Sequence, residues 1–273
     1  MIDNPSWQHF ATHDESEYPE LWQGVRGYWA PCLGPSGTRL HDMSGRGNWG
    51  TLTGATPANA WVVSDGQYAA SLSFSPAAQY FDVSNLNRSL EVPGRLSVVA
   101  WARPTASATS VGREVCTLYH STSDPYGSHG MQWHSLAAPN AWSWHVATPS
   151  YNPLASAITR SLNRWYCVVG VYTGAEVQLW VNGLVDSTRA QSGAINYNNQ
   201  NFSIGIWPGN LSAHEQFQGQ ISDVILFDRA LSPNEIRLLY QIGRGGMLTP
   251  RRRRRAYFAG SGLRRRLLLT GQV

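Results

Sequence analysis

Acidic side chains are the first groups to consider, because glycan hydrolysis needs two carboxylates that face each other across the substrate. On a strand such a pair appears as two acidic residues with one residue between them, since alternate side chains share a face. None of the strand candidates of this sequence has that spacing. The one close acidic cluster, Asp14, Glu15 and Glu17, lies in a polar leader and is typical of a solvated surface. No catalytic residue is predicted, and carboxylates that converge from distant strands are the open alternative.

The histidines do not show the spacing of a zinc site. His214 and Glu215 begin like the zinc-binding helix of metalloproteases, but Gln218 stands where that motif has its second histidine. His129, His134 and His145 lie near tryptophans of the same segment, and we interpret them as surface polar residues.

Calcium has a better candidate site in the glycine-rich residues 42–48. Asp42, Asn48 and the carbonyl groups of a flexible turn offer the hard oxygen ligands that calcium prefers. The competing interpretation is an Asx-turn, in which Asp42 and Asn48 bind their own backbone. Arg46 inside the loop opposes a cation and favours that second interpretation.

Aromatic residues are concentrated in residues 121–152, among Ser, His and Asn. Exposed rings stack on sugars, which makes Trp133, Trp142, Trp144, Tyr126 and Tyr151 candidate ligand-binding residues. Strand alternation places Trp142 and Trp144 on one face. The alternative is that this face is packed in the protein core.

The C-terminus is strongly basic. The sequence has 21 Arg and no Lys, and eight of these Arg fall in residues 251–273, which hold no acidic residue. The remaining body has 13 Arg against 17 acidic residues, a net charge of −4, so the basic pI is a property of the tail. The candidate partner-binding residues are Arg251, Arg252, Arg253, Arg254, Arg255, Arg264, Arg265 and Arg266.

Four interpretations of this tail are open. Its arginines, with Tyr257 and Phe258 between them, are suited to phosphates and bases of nucleic acid. They are equally suited to bidentate pairing with carboxylates of a protein lattice. Contact with a membrane surface through residues 267–269 and a solvated tail are the other two.

Composition limits the remaining classes. No apolar run approaches the ~20 residues that span a bilayer. The first residues are polar and acidic, which predicts no secretory signal. Cys32, Cys116 and Cys167 make an odd set without a C-x-x-C motif, so a disulfide framework is not expected.

The elements that must position these residues are short strands separated by Gly, Asn and Pro. This density predicts an all-β, two-sheet antiparallel sandwich of jelly-roll type. Asn182-Gly183 is the favoured pair for a tight hairpin turn, and residues 173–175 form a second turn. The predicted strands are residues 71–74, 79–83, 96–103, 114–120, 131–135, 142–146, 165–172, 177–181 and 202–207.

The end of the predicted domain carries the most specific pattern. Residues 218–228 alternate like a strand, and a short helix follows at once. Ser232 is its N-cap, Pro233 takes the first helical position and Glu235 completes a capping box.

These segments together resemble the laminin-G-like, concanavalin A-like jelly-roll family, over about residues 24–242. The matching segments are GYW at 27–29, LHDMSGRGN at 40–48, GTLTG at 50–54, SLSF at 71–74, YFDV at 80–83, LSVVAW at 96–101, WYCVVGVY at 165–172, VQLWVNG at 177–183, IG at 204–205 and the closing unit at 219–240.

The resemblance implies a concanavalin A-like sandwich with one short C-terminal helix. We expect an extended arm at residues 1–23, the jelly-roll domain at 24–243 and an extended Arg-rich tail at 244–273. In this family a calcium ion often lies near such a loop with a carboxylate from the closing strand, which here implies Asp223 beside Asp42 and Asn48. The fold hosts lectins, adhesion modules, glycosidases and structural domains, so it does not decide function.

The leader YPELWQGVRGYW and the Arg-rich ending also resemble jelly-roll proteins of tailed bacteriophages. That resemblance implies a non-enzymatic virion structural or decoration protein, made in the host cytoplasm and assembled into a particle. The arm and tail would contact capsid or other virion proteins, and the sandwich would bind host-surface glycans. The alternatives are a cellular carbohydrate-binding or adhesion module and, third, a glycoside hydrolase.

Overall fold

Two antiparallel β-sheets of eight strands each stack face to face in this computed structural model, which describes residues 18–31, 34–72, 79–108, 110, 112–119, 127–209 and 216–248. The strands are β1 Val25–Trp29, β2 Arg39–Leu40, β3 Gly50–Thr53, β4 Trp61–Ser64, β5 Gln67–Leu72, β6 Tyr80–Val83, β7 Leu96–Pro104, β8 Arg113–Tyr119, β9 Gly127–His134, β10 Ala141–Val146, β11 Pro153–Ala155, β12 Tyr166–Tyr172, β13 Glu176–Val181, β14 Leu184–Ala190, β15 Phe202–Ile204 and β16 Gly219–Phe227. The helices are α1 Pro19–Trp22, α2 Pro57–Ala60 and α3 Pro233–Ile242, with 3-10 turns at Leu86–Arg88 and Gly246–Leu248.

The strand order is that of a jelly roll, because many strands that are adjacent in a sheet are far apart in the sequence. Sheet I runs β14-β13-β12-β7-β16-β5-β4, and β1 also pairs with β16. Sheet II runs β11-β10-β9-β8-β15-β6-β3-β2. The predicted all-β antiparallel sandwich with one short C-terminal helix is confirmed.

The core between the sheets is filled by large aromatic side chains. Trp29 stacks on Phe202 with ring centroids 4.9 Å apart, and Trp133 lies 4.8 Å from Trp142. Gly170 on β12 makes room for Trp144 on β10, since a Cβ atom at position 170 would lie 2.1 Å from the indole. The glycine in the middle of an otherwise apolar strand is therefore explained by packing across the two sheets.

A second apolar layer covers the outer face of sheet I. Helix α3 packs there through Ile236 and Leu239, and it meets the N-terminal turn, whose Leu21 and Trp22 are also buried. Met247, beyond α3, belongs to the same layer. The second apolar layer therefore includes residues before position 24 and after position 243.

The local signals of the closing unit and the hairpins are confirmed. Ser232 Oγ accepts a hydrogen bond from the Glu235 backbone N–H at 3.4 Å, and the Glu235 carboxylate accepts one from the Ser232 N–H at 2.8 Å. Gly243 ends the helix with φ of 73°. Asn182 and Gly183 have φ of 53° and 79°, as a type I′ turn requires.

Several predicted residues lie outside the described part of the chain: residues 1–17, Tyr126, His214 and the Arg-rich residues of the tail. Among the helices that the structure describes, none is long and apolar enough to cross a membrane. Cys116 and Cys167 are buried free thiols whose pKa is raised by burial.

Candidate ligand-binding face

The outer face of sheet II carries a continuous row of mostly polar residues that crosses all but one edge strand. Each member is the register partner of the next, so their side chains share this face. In order from β2 to β10 the row consists of Arg39, Thr51, Asp82, Ser203, Thr117, Gly130 and His145.

Exposure falls along this polar row. Arg39 and Thr51 on the β2–β3 side are exposed and Asp82 is half-buried, whereas Ser203, Thr117 and His145 are buried. The face thus has an open part on β2, β3 and β6 and a closed part on β8, β9 and β10. Only the open part presents its side chains to a soluble ligand.

An exposed tryptophan stands at the open part. Trp49 directly precedes β3 and keeps 39% of its surface exposed. The Arg39 guanidinium lies 4.1 Å from the Trp49 ring centroid, and the His41 ring centroid is 5.1 Å away. We call these three residues the Trp49 cluster.

The chain around Trp49 is held in place from both sides. Gly50 packs against Leu40 and Phe81, where a Cβ atom would approach within 3.2 and 3.3 Å, so a larger residue would disturb the core. The carbonyl of Asn48 accepts a hydrogen bond of 2.6 Å from the buried Trp29 indole. The backbone on both sides of Trp49 is therefore fixed, and its indole lies at the surface.

The cluster has polar neighbours on the next strands. Tyr80 of β6 is paired with Thr53, and Asp82 accepts hydrogen bonds from the Asn201 amide at 3.1 and 3.0 Å. Burial and then the Asp82 charge raise the pKa of Tyr80, which therefore stays a neutral hydrogen-bonding phenol at neutral pH. The open part of the face therefore carries hydroxyl and carboxylate groups on β3 and β6, next to the strand end where Trp49 lies.

The loop of residues 42–48 has the Asx-turn geometry. Asp42 Oδ1 accepts hydrogen bonds from the backbone N–H groups of Tyr28 and Ser44 at 3.0 and 2.9 Å, and Oδ2 accepts one from Asn48 at 2.9 Å. The Asn48 side chain donates to the Arg26 carbonyl and accepts from Ser89. A calcium ion here would have to displace these bonds, so the geometry favours the competing interpretation.

Asp223, the third residue of the calcium hypothesis, is buried in the layer between sheet I and α3. Its carboxylate accepts hydrogen bonds from the Tyr28 hydroxyl at 2.8 Å, from Ser222 at 2.9 Å and from the Gly245 N–H at 3.1 Å. Within the described ranges, no three His, Cys, Asp or Glu side chains are grouped so that they could hold a metal ion. Asp223 instead anchors the chain that follows α3.

The predicted sugar platform of tryptophans is wrong. Trp133, Trp142 and Trp144 are completely buried and belong to the core between the sheets. Trp142 and Trp144 do share a face, as alternation predicts, but that face points into the sandwich. The physical reason is that an indole has a large apolar surface, so its burial between the sheets contributes strongly to the stability of the core.

The closed part of the face contains a network of buried polar groups. Gln132 donates to Glu114 at 2.5 Å, and its amide oxygen accepts from Ser143 at 3.2 Å and from Tyr151 at 3.0 Å. Tyr151, the fifth predicted sugar-binding residue, is thus committed to this network. It also covers His145, with ring centroids 4.7 Å apart.

The prediction that the three histidines are surface residues is also wrong. His129, His134 and His145 are all buried. Burial lowers the pKa of His129 to about 3, and burial together with the nearby His129 lowers the pKa of His145 to about 3. These imidazoles are neutral at physiological pH and are part of the packing.

The Trp49 cluster was not among the predicted sites, although the sequence contains a signal for it. Trp49 lies in the segment Gly47-Asn48-Trp49-Gly50, and a large aromatic between glycines in a turn has no strand neighbours to bury it. Tryptophans within alternating strands are by contrast the ones that the two sheets enclose.

Solved structures with this architecture include several that were determined as binding domains. Domain 4 of an extracellular arabinanase from Geobacillus stearothermophilus, in complex with arabinotriose, has a TM-score of 0.59 at 16% identity, covering 80% of this chain and 98% of that domain. The receptor-binding domain of botulinum neurotoxin D has a TM-score of 0.56 at 14% identity, covering 81% of this chain and 54% of the other. Trypanosoma rangeli sialidase in complex with sialic acid has 0.54 at 13%, covering 80% and 32%.

These likenesses demonstrate the fold. The chain spans nearly all of the arabinanase domain, about half of the toxin domain and a third of the sialidase. A search of curated proteins finds no match to the sequence. A family model described as the concanavalin A-like lectin/glucanase superfamily, of laminin-G type, matches residues 75–237. With more than half of its length matched and both sheets in place, the chain belongs to the concanavalin A-like lectin/glucanase superfamily.

Proposed function

We propose that this protein is a glycan-binding domain without hydrolytic activity, and that the open part of the outer face of sheet II is its binding site. The observation that carries the proposal is the exposed Trp49 indole with the Arg39 guanidinium over its ring. Thr51 and Asp82 follow Arg39 in the polar row of the same face. A sugar ring has an apolar C–H face and a polar rim, which require such a combination of aromatic surface and hydrogen-bonding groups.

The comparisons support the proposal by analogy of fold. The arabinanase domain was determined in complex with arabinotriose, and the neurotoxin domain is a receptor-binding domain. Because identity to both is below 20%, their binding residues are not transferred to this chain.

The arrangement of carboxylates supports the non-enzymatic part of the proposal. Asp82 and Glu114 both lie on the outer face of sheet II, on strands that β15 separates. Glycoside hydrolysis needs two carboxyl groups that both reach the substrate. Glu114 is buried. In addition, Asp82 is bound by Asn201 and Glu114 by Gln132.

A glycan array and the variant Trp49→Ala test this function. The wild type should bind a subset of glycans, and Trp49→Ala should lose that binding while its melting temperature stays within a few degrees, since the indole is exposed. The control is Tyr240→Ala, which removes an aromatic ring that is 41% exposed on the other side of the molecule. Binding that survives in Trp49→Ala would place the site elsewhere. Hydrolysis that is lost on changing one Asp or Glu would contradict the non-enzymatic assignment.

We further propose that the domain is displayed on a virus particle and that the C-terminal tail attaches it. This rests on the resemblance of the leader and the Arg-rich ending to phage jelly-roll proteins, and on five consecutive arginines suited to carboxylates of a protein lattice. The alternative, a cellular carbohydrate-binding module, would be favoured by neighbouring genes for polysaccharide use rather than for capsid or tail proteins.

Truncation after Leu248 tests the attachment. Leu248 is the last described residue and packs against the second apolar layer, so the shortened chain should keep its folded body. Mass spectrometry of purified particles should detect the full chain and not the truncated one. Equal incorporation of the two chains would dismiss attachment through the tail.

A further inference from the structure

Arg39 differs from most other arginines of the described chain in having no partner for its guanidinium except an aromatic ring. Five arginines form ion pairs with carboxylates: Arg26, Arg88, Arg160, Arg229 and Arg244. Arg39 has no hydrogen-bond acceptor within the described ranges and stacks on Trp49 at 4.1 Å. Its N–H donors are thus available to a ligand.

Stacking also fixes the guanidinium. A planar guanidinium that lies over an indole keeps its edge donors directed outward, so less side-chain entropy is lost when it binds an anion. The matching acceptor is a planar carboxylate, because two parallel N–H···O bonds join the two groups. The geometry of Arg39 therefore selects for an acidic ligand group next to the exposed part of Trp49.

The surrounding charges are compatible with this assignment. Burial and the Arg39 charge lower the pKa of His41, so His41 is neutral at pH 7 and Arg39 is the full cation of the cluster. Asp82, the nearest carboxylate along the polar row, lies beyond Thr51, and its oxygens accept from the Asn201 amide. Arg39 is therefore not neutralised by this carboxylate.

We propose that Arg39 and Trp49 recognise a saccharide that carries a carboxylate, such as a uronic or ulosonic acid. The guanidinium binds the carboxylate, and the sugar ring lies against the exposed part of the indole. This inference rests on the proposed glycan-binding function and adds the chemical class of the ligand.

The test uses acidic oligosaccharides printed on an array, each beside its carboxyl-reduced counterpart, together with sulfated neutral oligosaccharides. The wild type should bind acidic members and lose them on reduction. For a bound acidic oligosaccharide, Arg39→Gln should weaken the affinity by about tenfold or more, the effect of one charge-assisted pair. The matched control is Arg237→Gln, which removes the same charge from the exposed side of α3 and should leave the affinity unchanged.

Each outcome decides between the inference and the function on which it rests. Equal binding of acidic and reduced members, or full affinity of Arg39→Gln, would overturn the inference and leave a glycan-binding domain. Binding to sulfated neutral sugars alone would overturn the carboxylate assignment in favour of sulfate. Absence of binding to every glycan would remove the proposed function as well.

Discussion

At the scale of single residues, the exposure of a tryptophan depends on the element in which it lies. Trp142 and Trp144 lie in β10, their side chains point between the two sheets, and both are completely buried. Trp49 lies in a turn held by Gly50 and the Asp42 loop, and it stays exposed. The same residue type is therefore part of the core in one place and exposed at the surface in another.

The buried His129 is expected to make the stability of the protein depend on pH. Its ring lies among Trp144, Tyr197 and Phe202 in the core, and neither ring nitrogen has a hydrogen-bond partner among the residues that the structure describes. The pKa of His129 is about 3 in the folded protein and about 6.5 when the chain unfolds. As the pH falls, His129 therefore takes up a proton in the unfolded state before it does so in the folded state. Its contribution to the free energy of unfolding is fully present above pH 6.5 and is lost as the pH falls towards 3.

We therefore expect His129→Leu to reduce the pH dependence of stability. Between pH 6.5 and 5 the wild type should lose about 2 kcal/mol more than the variant, at about 1.4 kcal/mol per pH unit. Urea unfolding at pH 7.0 and 5.0 measures the difference. Parallel pH curves for the two proteins would show that His129 is not buried as a neutral group.

At the scale of elements, α3 is the piece whose local sequence and tertiary role agree most closely. Its capping box satisfies backbone donors at the N-terminus, and its apolar side chains cover sheet I. Burial alone would raise the pKa of Glu235, but hydrogen bonds from Arg229 and Ser232 outweigh it and lower the pKa. The Glu235 carboxylate is therefore charged at neutral pH and joins the helix start to Arg229 of the preceding turn.

Removing the cap should destabilise the protein by a predictable amount. Ser232→Ala deletes the acceptor for the Glu235 N–H, and a loss of about 1 kcal/mol in the free energy of unfolding is expected. Ser150→Ala, at an exposed loop position, is the matched control and should change stability by less than about 0.5 kcal/mol. Equal stability of the two variants in urea unfolding would mean that the helix start frays in the native state.

At the scale of the whole molecule, the two outer faces of the sandwich differ. The outer face of sheet I is covered by α3 and by the N-terminal turn. Sheet II keeps an exposed region at β2 and β3, and the Trp49 cluster lies beside it. The proposed binding site therefore lies on the side of sheet II, while Asp223 fixes the chain beyond α3 on the side of sheet I through the Gly245 N–H.

What followed from the sequence alone depends on neighbours along the chain. The alternating strands, the Asn182-Gly183 turn and the capped helix were predicted and are confirmed, because strand alternation, left-handed turn conformations and helix caps are local in origin. These local elements, taken in order, also led to the family.

Tertiary structure decided which side chains meet and which stay exposed. Alternation assigns Trp142 and Trp144 to one face, but only the facing sheet, with Gly170 opposite Trp144, makes that face the core. The stacking of Arg39 on Trp49 and the burial of the three histidines depend on contacts between strands that are distant in sequence. Exposure is set by what lies across the sheet, which no local pattern contains.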